Sequence, residues 1–433
     1  MSKWLYELSM GNNNSSGTFK AFKNRNYALF FAGQSISQIG TWMQRTAVIW
    51  VIYSLTHSAS MIGFAVFAQQ FPSFLLSLFG GVVADRYDRY KILLVTQIAS
   101  MIQAILLAAL ILTGHYVIWE ILALSVVLGI INAFDVPARQ PMILELIENK
   151  EDLANAISLN SAMVNIARMV GPALSGIVLQ RFGAGICFSL NAVSFIAVIT
   201  SLLLMKFPQF NPPTVKKKVM SELAEGFKYI METPTIGMIL LVLVSLSLFV
   251  LPYDTTEPIF AKVVYKGNAT TYGYISSSVG LGAIIGSLVL ASVKKGTDLK
   301  PILIGSIVVL ATGLILFSRV SYLPLALPFA MIIGLGSLTP MSTCITIIQM
   351  EAATHMRGRV MSYMAMSFFG VLPLGALLIG TVSQKIGAPL TMFCQGIVAL
   401  IIALVFFQLF KKSKINKTTD HPDIAAEIIE SEN

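Results

Sequence analysis

The sequence predicts an all-α membrane protein of about twelve transmembrane helices, arranged as two pseudo-symmetric six-helix halves. Three observations carry that reading: the composition, a train of long apolar runs, and punctuation that repeats at a fixed offset. Of the 433 residues, 55% are hydrophobic and 12% charged. Soluble domains carry about 25% charged residues. A chain this apolar cannot cover its own surface in water. Lipid suits it, because a helix in lipid satisfies its backbone polar groups internally.

A spanning helix needs about 20 apolar residues. Runs of that kind predict helices at about 27–54, 59–84, 91–113, 117–138, 153–181, 184–206, 235–258, 271–293, 300–318, 322–349, 359–384 and 388–410. Residues 1–26 are polar and lack a secretory signal pattern, so they read as a cytoplasmic N-terminal segment. The first half is then 27–206 and the second 235–410. Between them, 207–234 carries Pro208, Pro212, Pro213 and Lys216 to Lys218. It reads as a cytoplasmic linker in which Val219 to Met231 suits an amphipathic helix on the membrane surface. The polar stretch 411–433 reads as a disordered cytoplasmic tail.

Orientation follows from the basic residues. With both ends inside, the inner segments hold 23 of the 30 Lys and Arg. The outer loops hold Arg181, Lys262, Lys266, Arg319 and Lys385, while Arg45 and Arg168 lie within helices. The net charge of +9 is therefore a topology and headgroup signal, and no nucleic-acid partner is expected. Cys187, Cys344 and Cys394 all fall in predicted helices and read as small buried packing residues. No disulfide framework or metal-ligand spacing is present, and no cofactor is expected. Asn268-Ala-Thr270 forms a glycosylation sequon in an outer loop.

Shifting the chain by 204 residues brings Gly171 onto Gly375, Gly176 onto Gly380, Gly183 onto Gly387 and Ser158 onto Ser362. The hydropathy profile repeats at the same offset. Parallel repeats of this kind build transporters whose solute site lies between the halves near mid-membrane.

The most specific motif lies between the second and third helices: Gly81-Val-Val-Ala-Asp85-Arg86-Tyr-Asp-Arg89-Tyr-Lys91. Gly81 is expected to let helices approach closely. Asp85 and Arg89 stand one turn apart, and Lys91 starts the next helix. A loop of alternating charge can pair with a neighbouring helix and hold the inner side shut; the plainer reading is a basic inner loop. The pattern resembles the major facilitator superfamily, whose loop reads Gly, three residues, Asp-Arg, any residue, Gly-Arg-Arg/Lys. Gly81, Asp85, Arg86 and Arg89 match it, whereas Asp88 stands for the second glycine and Tyr90 for a basic residue. The resemblance implies a cytoplasmic gate at Gly81, Asp85, Arg86, Arg89 and Lys91.

A second pattern, Gly171-Pro172-Ala-Leu-Ser175-Gly176, is similar to the fifth-helix motif that the superfamily's exporters carry, with Ser175 in place of a glycine. Small residues and a proline also make a close-packing, kinked helix in any bundle. Phe134-Asp135-Val-Pro137-Ala138-Arg139 and Arg357-Gly358-Arg359-Val360-Met361-Ser362 resemble the branch of enterobactin exporters and macrolide efflux proteins. The fourth-helix arginine tied to proton coupling in drug antiporters of the superfamily is absent, with Ser125 and Gly129 marking its neighbourhood.

Polar residues recur inside the membrane. Gln34, Gln38, Thr41 and Arg45 step by 4, 3 and 4 along one face of the first helix. Asn132, Asp135 and Arg139 do so on the fourth, and Ser158, Ser161, Asn165 and Arg168 on the fifth; Gln70 and Ser73 lie on the second. Charged residues in lipid face a cavity or a partner. One reading is a polar solute cavity between the halves. The other is structural, with Arg168 neutralised by Asp135 and Arg45 by an acid of the seventh helix. Asp254 and Glu257, between Pro252 and Pro258, supply such acids at its outer end. Pairing of one of them with Arg45 when the outer side closes, and its loss on protonation, would couple transport to protons. His57, His115, His355 and His421 fall in loops or the tail.

These features predict a secondary active transporter that exports a small amphipathic solute, siderophore- or drug-like, by alternating access. Protons are the coupling ion the resemblance implies. The partners are the solute, the ion and the bilayer, and the protein is expected to act as a monomer. Uptake or lipid flipping within the same superfamily is the alternative, and a non-transporting receptor or scaffold a remoter one. No Gly-x4-Gly-Lys-Ser/Thr loop for ATP is present, and no enzyme is expected.

Overall fold

The apolar runs become twelve long helices. In this computed structural model residues 17–114, 116–147, 150–205, 219–294 and 296–420 are described. The helices are α1 (Arg25–Thr56), α2 (Ala59–Arg86), α3 (Arg89–Thr113), α4 (Ile118–Glu145), α5 (Leu153–Phe182), α6 (Ala184–Leu204), α7 (Pro234–Val264), α8 (Ala269–Ala291), α9 (Lys300–Arg319), α10 (Leu323–Glu351), α11 (Arg357–Ile386) and α12 (Ala388–Asp420). Among the described residues, eleven helices are long and apolar enough to cross a membrane. α1 is the exception: its 32 residues have the length, but Gln34, Gln38, Gln44 and Arg45 interrupt its apolar surface.

Local chemistry sets the helix ends. Gly114, Gly183 and Gly387 adopt positive φ where α3, α5 and α11 stop, a conformation glycine takes without steric cost. Ser58, Asp88 and Asn268 cap α2, α3 and α8 by accepting hydrogen bonds from backbone N–H groups of the first turn. Asp88 is the residue standing where the loop pattern has its second glycine. Its φ of −59° needs no glycine, and its carboxylate binds the Tyr90 N–H at 3.0 Å. Asn268, the sequon residue, spends its side-chain oxygen on the N–H groups of Thr270 and Thr271.

Helix neighbours repeat six places along the chain. α1 packs on α5 and α6, α2 on α4, and α3 on α4 and α6; correspondingly α7 packs on α11 and α12, α8 on α10, and α9 on α10 and α12. The halves join along two seams, α5 with α8 and α2 with α11, which are the same seam under exchange of the halves. The glycines of the 204-residue register explain this. Gly171 lies against α1 at Trp42 and Met43, and Gly375 against α7 at Ser247 and Leu248. Gly176 meets Ala269 and Gly273 on α8, and Gly380 meets Ala59 and Gly63 on α2. A side chain at any of these positions would meet backbone atoms of the facing helix.

Four expectations need correction. The seventh helix is not continuous: Pro252 breaks it into a helix Pro234–Phe249, a 3-10 turn Leu251–Thr255 and short turns on to Val264, because proline lacks the N–H and crowds the preceding turn. α11 likewise contains a π-turn, Met366–Gly370, just before Pro373. α12 runs to Asp420, so 411–420 is helical, while 421–433, with His421, lies outside the described residues, as do His115 and 206–218. Cys187 and Cys344 are buried as expected, but Cys394 is exposed.

The linker helix, Val219–Glu232, forms over the expected residues. It docks on the second half through Glu225–Arg359 at 2.6 Å, Tyr363 Oη donating to the Leu223 carbonyl, and the Ala353 N–H donating to Tyr229 Oη.

Candidate functional site

Two faces of the bundle differ. The loop face carries the short connections at 57–58, 114–117, 183, 265–268, 320–322 and 387. The opposite, terminal face carries the linker helix, the turn at 87–88 and the limits of the described chain near residues 17 and 420. α1 rises toward the loop face, so Arg45 lies about three turns short of its end and Trp50 lies about 7 Å beyond Arg45.

At the loop face the contacts run between the halves. The ring of Trp50 on α1 stacks on Tyr272 of α8 at 6.0 Å, with Lys262 Nζ over the same indole at 5.9 Å. Gln384 of α11 accepts from the Ala59 N–H at 2.7 Å. Beneath this layer Arg45 Nη2 lies 3.3 Å from Asp254 Oδ2, joining α1 to the broken part of α7. The break matters here. The 3-10 turn after Pro252 turns Asp254 toward α1, and Glu257, one turn later, toward α8. Glu257 is buried and accepts a hydrogen bond from Ser276 Oγ at 2.5 Å. The Arg45 and Asp254 side chains keep 27% and 39% exposure although the layer above them is closed.

Trp42 lies one turn before Arg45. Its ring carries two guanidinium groups: Arg45 at 5.2 Å and Arg168 of α5 at 5.7 Å. Gly171, one turn after Arg168, lets α5 close on the Trp42 backbone; a Cβ there would sit 2.5 Å from Trp42 Cβ. Ser175 adds a hydrogen bond to the Met43 carbonyl at 3.0 Å. The fifth-helix pattern therefore does two things. Gly171 and Ser175 fasten α5 to α1, and Pro172 and Gly176 hold α5 against Gly273 of α8.

The structure divides the residues singled out in the sequence. Arg45, Asp254 and Glu257 come together, with Arg168 one indole away. Gln38, Thr41, Gln70, Asn132 and Asn165 are partly exposed. Asp135 does not join them. It is buried and ion-paired with Arg139 one turn on, and it accepts from Thr96 Oγ1 at 2.9 Å and Gln97 Nε2 at 2.7 Å on α3. The expected Asp135–Arg168 pair is absent because Arg139 is nearer. Gln34 is buried in the first half, outside the partly exposed set. Another buried network was not anticipated: Gln44 donates to Gln103 and accepts from Asn191, tying α1 to α3 and α6. Trp42 and Ser276 were also missed. Trp42 stands three residues before Arg45, a spacing that puts both on one helix face.

At the terminal face the loop motif stays within the first half. Arg89 pairs with Glu145 at the end of α4, lies 3.6 Å from Asp85 and donates to the Ala84 carbonyl. Arg86 and Lys91 are exposed. Gly81 meets nothing within 4 Å. The close approach is made by Gly80, whose Cβ would run into the Ala133 carbonyl of α4.

A family model described as transmembrane secretion effector, within the major facilitator superfamily, matches residues 16–429. The chain belongs to this family. Among curated relatives of this secretion effector, the staphyloferrin A transporter of Staphylococcus aureus is 26% identical over 89% of this chain and 96% of its own length. The enterobactin exporter EntS of Salmonella typhi is 26% identical over 94% and 96%. The multidrug efflux pump Tap of Mycolicibacterium fortuitum is 22% identical over 84% and 91%. Solved structures share the fold. A POT family transporter in complex with 5-aminolevulinic acid matches with a TM-score of 0.69 at 14% identity, over 90% of this chain and 96% of that one. A bacterial homolog of the human lysosomal transporter Spinster matches with a TM-score of 0.65 at 14% identity, over 89% and 96%.

Proposed function

We propose that this secretion effector exports an amphipathic siderophore- or drug-like solute by alternating access, driven by protons. The terminal face is cytoplasmic, following the basic residues gathered there, and the protein works as a monomer in the cytoplasmic membrane. The carrying observation is the asymmetry of the two faces. Contacts between halves close the loop face above a polar site, while the ion pairs described at the terminal face join residues of one half or that half and the linker helix. Such a site is reached from the cytoplasm and closed to the outside, the state in which an exporter loads. The relatives named as siderophore and drug exporters support the direction and the solute class.

Proton coupling rests on the acids facing Arg45. In this reading a proton taken up at the pair ends the hold of Asp254 on Arg45 and lets the loop face open. Asp254→Asn together with Glu257→Gln is expected to flatten the pH dependence of efflux, read as dye extrusion from cells across pH 5.5 to 8. An unchanged profile overturns proton coupling at these residues. Export itself is tested by deleting the gene and measuring secreted iron chelator and drug susceptibility. Loss of either supports the reading; loss of neither overturns it.

A further inference from the structure

We propose that Trp42, Arg45 and Arg168 form the binding site for an anionic group of the solute, a carboxylate or catecholate, with Arg168 as its anchor. The inference rests on the export reading and names the chemistry that the site accepts.

The two arginines are not equivalent. Arg45 has a carboxylate partner, Asp254, on the other half. Arg168 has no salt bridge within 4 Å among the described residues; it lies against the indole face of Trp42 and interacts at longer range with the Glu257 carboxylate. A guanidinium at mid-membrane is costly unless it faces a partner or a wet cavity. A cation over an aromatic face gains a modest attraction from the ring, far short of replacing a carboxylate or water. The position of Arg168 is deliberate in packing terms. Gly171 draws α5 onto α1, which fixes the guanidinium over the ring rather than over Asp135, whose carboxylate is already held by Arg139, Thr96 and Gln97.

Trp42 therefore carries two positive groups, on two helices, with one indole as a common platform. Two acids face them: Asp254 lies against Arg45, and Glu257, which accepts a hydrogen bond from Ser276, interacts with both arginines from a greater distance, so an anionic group seated at Arg168 competes with Glu257 for it. The planar guanidinium of Arg168 presents a fork of donors suited to a carboxylate or to the paired oxygens of a catecholate. An anion seated there also comes within reach of Arg45 and competes with Asp254 for it. Binding of the solute thus weakens the Arg45–Asp254 ion pair that joins α1 to α7. The recognition site and the lock of the loop face share a residue.

The test uses the purified full-length transporter in nanodiscs, with citrate, 2,3-dihydroxybenzoate and the cation ethidium as probes, and calorimetric or thermal-shift binding as readout. Citrate or 2,3-dihydroxybenzoate is expected to bind the wild type. Arg168→Gln is expected to weaken that binding tenfold or more, because charge-assisted hydrogen bonds are worth about 1.5–3 kcal/mol, while Arg168→Lys retains part of it. Trp42→Phe keeps the platform and most of the affinity; Trp42→Ala loses it. Ethidium binding is expected to be unchanged or tighter in Arg168→Gln, which also shows that the variant is folded. Equal anion affinity in wild type and a folded Arg168→Gln overturns the proposal. So does a wild type that binds ethidium and neither anion; in that case export of cationic drugs still stands, whereas a deletion strain with no efflux phenotype overturns the export reading itself.

Discussion

The two faces of the bundle use the same residue types for opposite purposes. At the loop face an arginine, an acid and aromatic rings link one half to the other, through Arg45–Asp254 and Trp50–Tyr272. At the terminal face Arg89 pairs with Glu145 and Asp85, and Arg359 with Glu225, each inside its own half or with the linker helix beside it. The comparison teaches that closure is a matter of which half supplies the partner. A bundle of this kind needs no new residues to open one face. It needs a rigid rocking of the halves about the seams, which exchanges partners across the cavity for partners within a half.

The seams are the part whose disruption costs most. A Cβ at Gly176 would sit 2.7 Å from the Ala269 carbonyl, so Gly176→Leu forces α5 away from α8. Overpacking of this kind costs about 1–3 kcal/mol. Efflux is expected to fall tenfold or more, measured as drug accumulation in cells at matched protein level, with Gly380→Leu behaving alike on the symmetry-related seam. Next in size is the contrast between adjacent glycines. Gly80→Ala drives a methyl into the Ala133 carbonyl and is expected to lower the melting temperature by an amount equivalent to about 1–3 kcal/mol. Gly81→Ala meets open space and is expected to change stability by less than about 0.5 kcal/mol. The smallest effect is that of the bridging pair. Arg45 and Asp254 are partly exposed, so solvent screening leaves about 0.2–1 kcal/mol for their attraction, a bias of at most about fivefold toward the closed loop face. Arg45→Asp should release that face, read on a Cys394→Ser background as a longer distance between spin labels at Val117 and Tyr322. The double reversal Arg45→Asp with Asp254→Arg should restore the short distance.

Much of the fold was legible because lipid imposes it. Apolar runs of about 20 residues have one solution, and most helix ends fall within a few residues of the expected positions, whereas α4 and α12 run on past them to Glu145 and Asp420. The glycine register was legible because it records backbone contacts: Gly171 and Gly375 turn out to face α1 and α7, the equivalent helices. What the sequence hid was partner choice. Asp135 had two arginines within plausible reach, and helix geometry gave it to Arg139 four residues on rather than to Arg168. Gly80 and Gly81 are indistinguishable in a string of letters, yet one rotation of 100° puts the first on α4 and the second in open space. The break at Pro252 was visible as a proline, but not its consequence, that Asp254 and Glu257 point to different helices. Trp42 reads as one more aromatic in an apolar helix until Gly171 brings Arg168 to it.

The central claim is that the loop face is closed between halves while the terminal face is not, and that transport exchanges the two. Double electron–electron resonance on a Cys394→Ser background tests it directly, with spin labels at Val117 and Tyr322 for the loop face and at Tyr87 and Thr354 for the terminal face. The account predicts a short, narrow loop-face distance and a long terminal-face distance at rest. During turnover a second population should appear in which the first lengthens and the second shortens. Two distances that stay fixed during turnover, or that lengthen together, would contradict it.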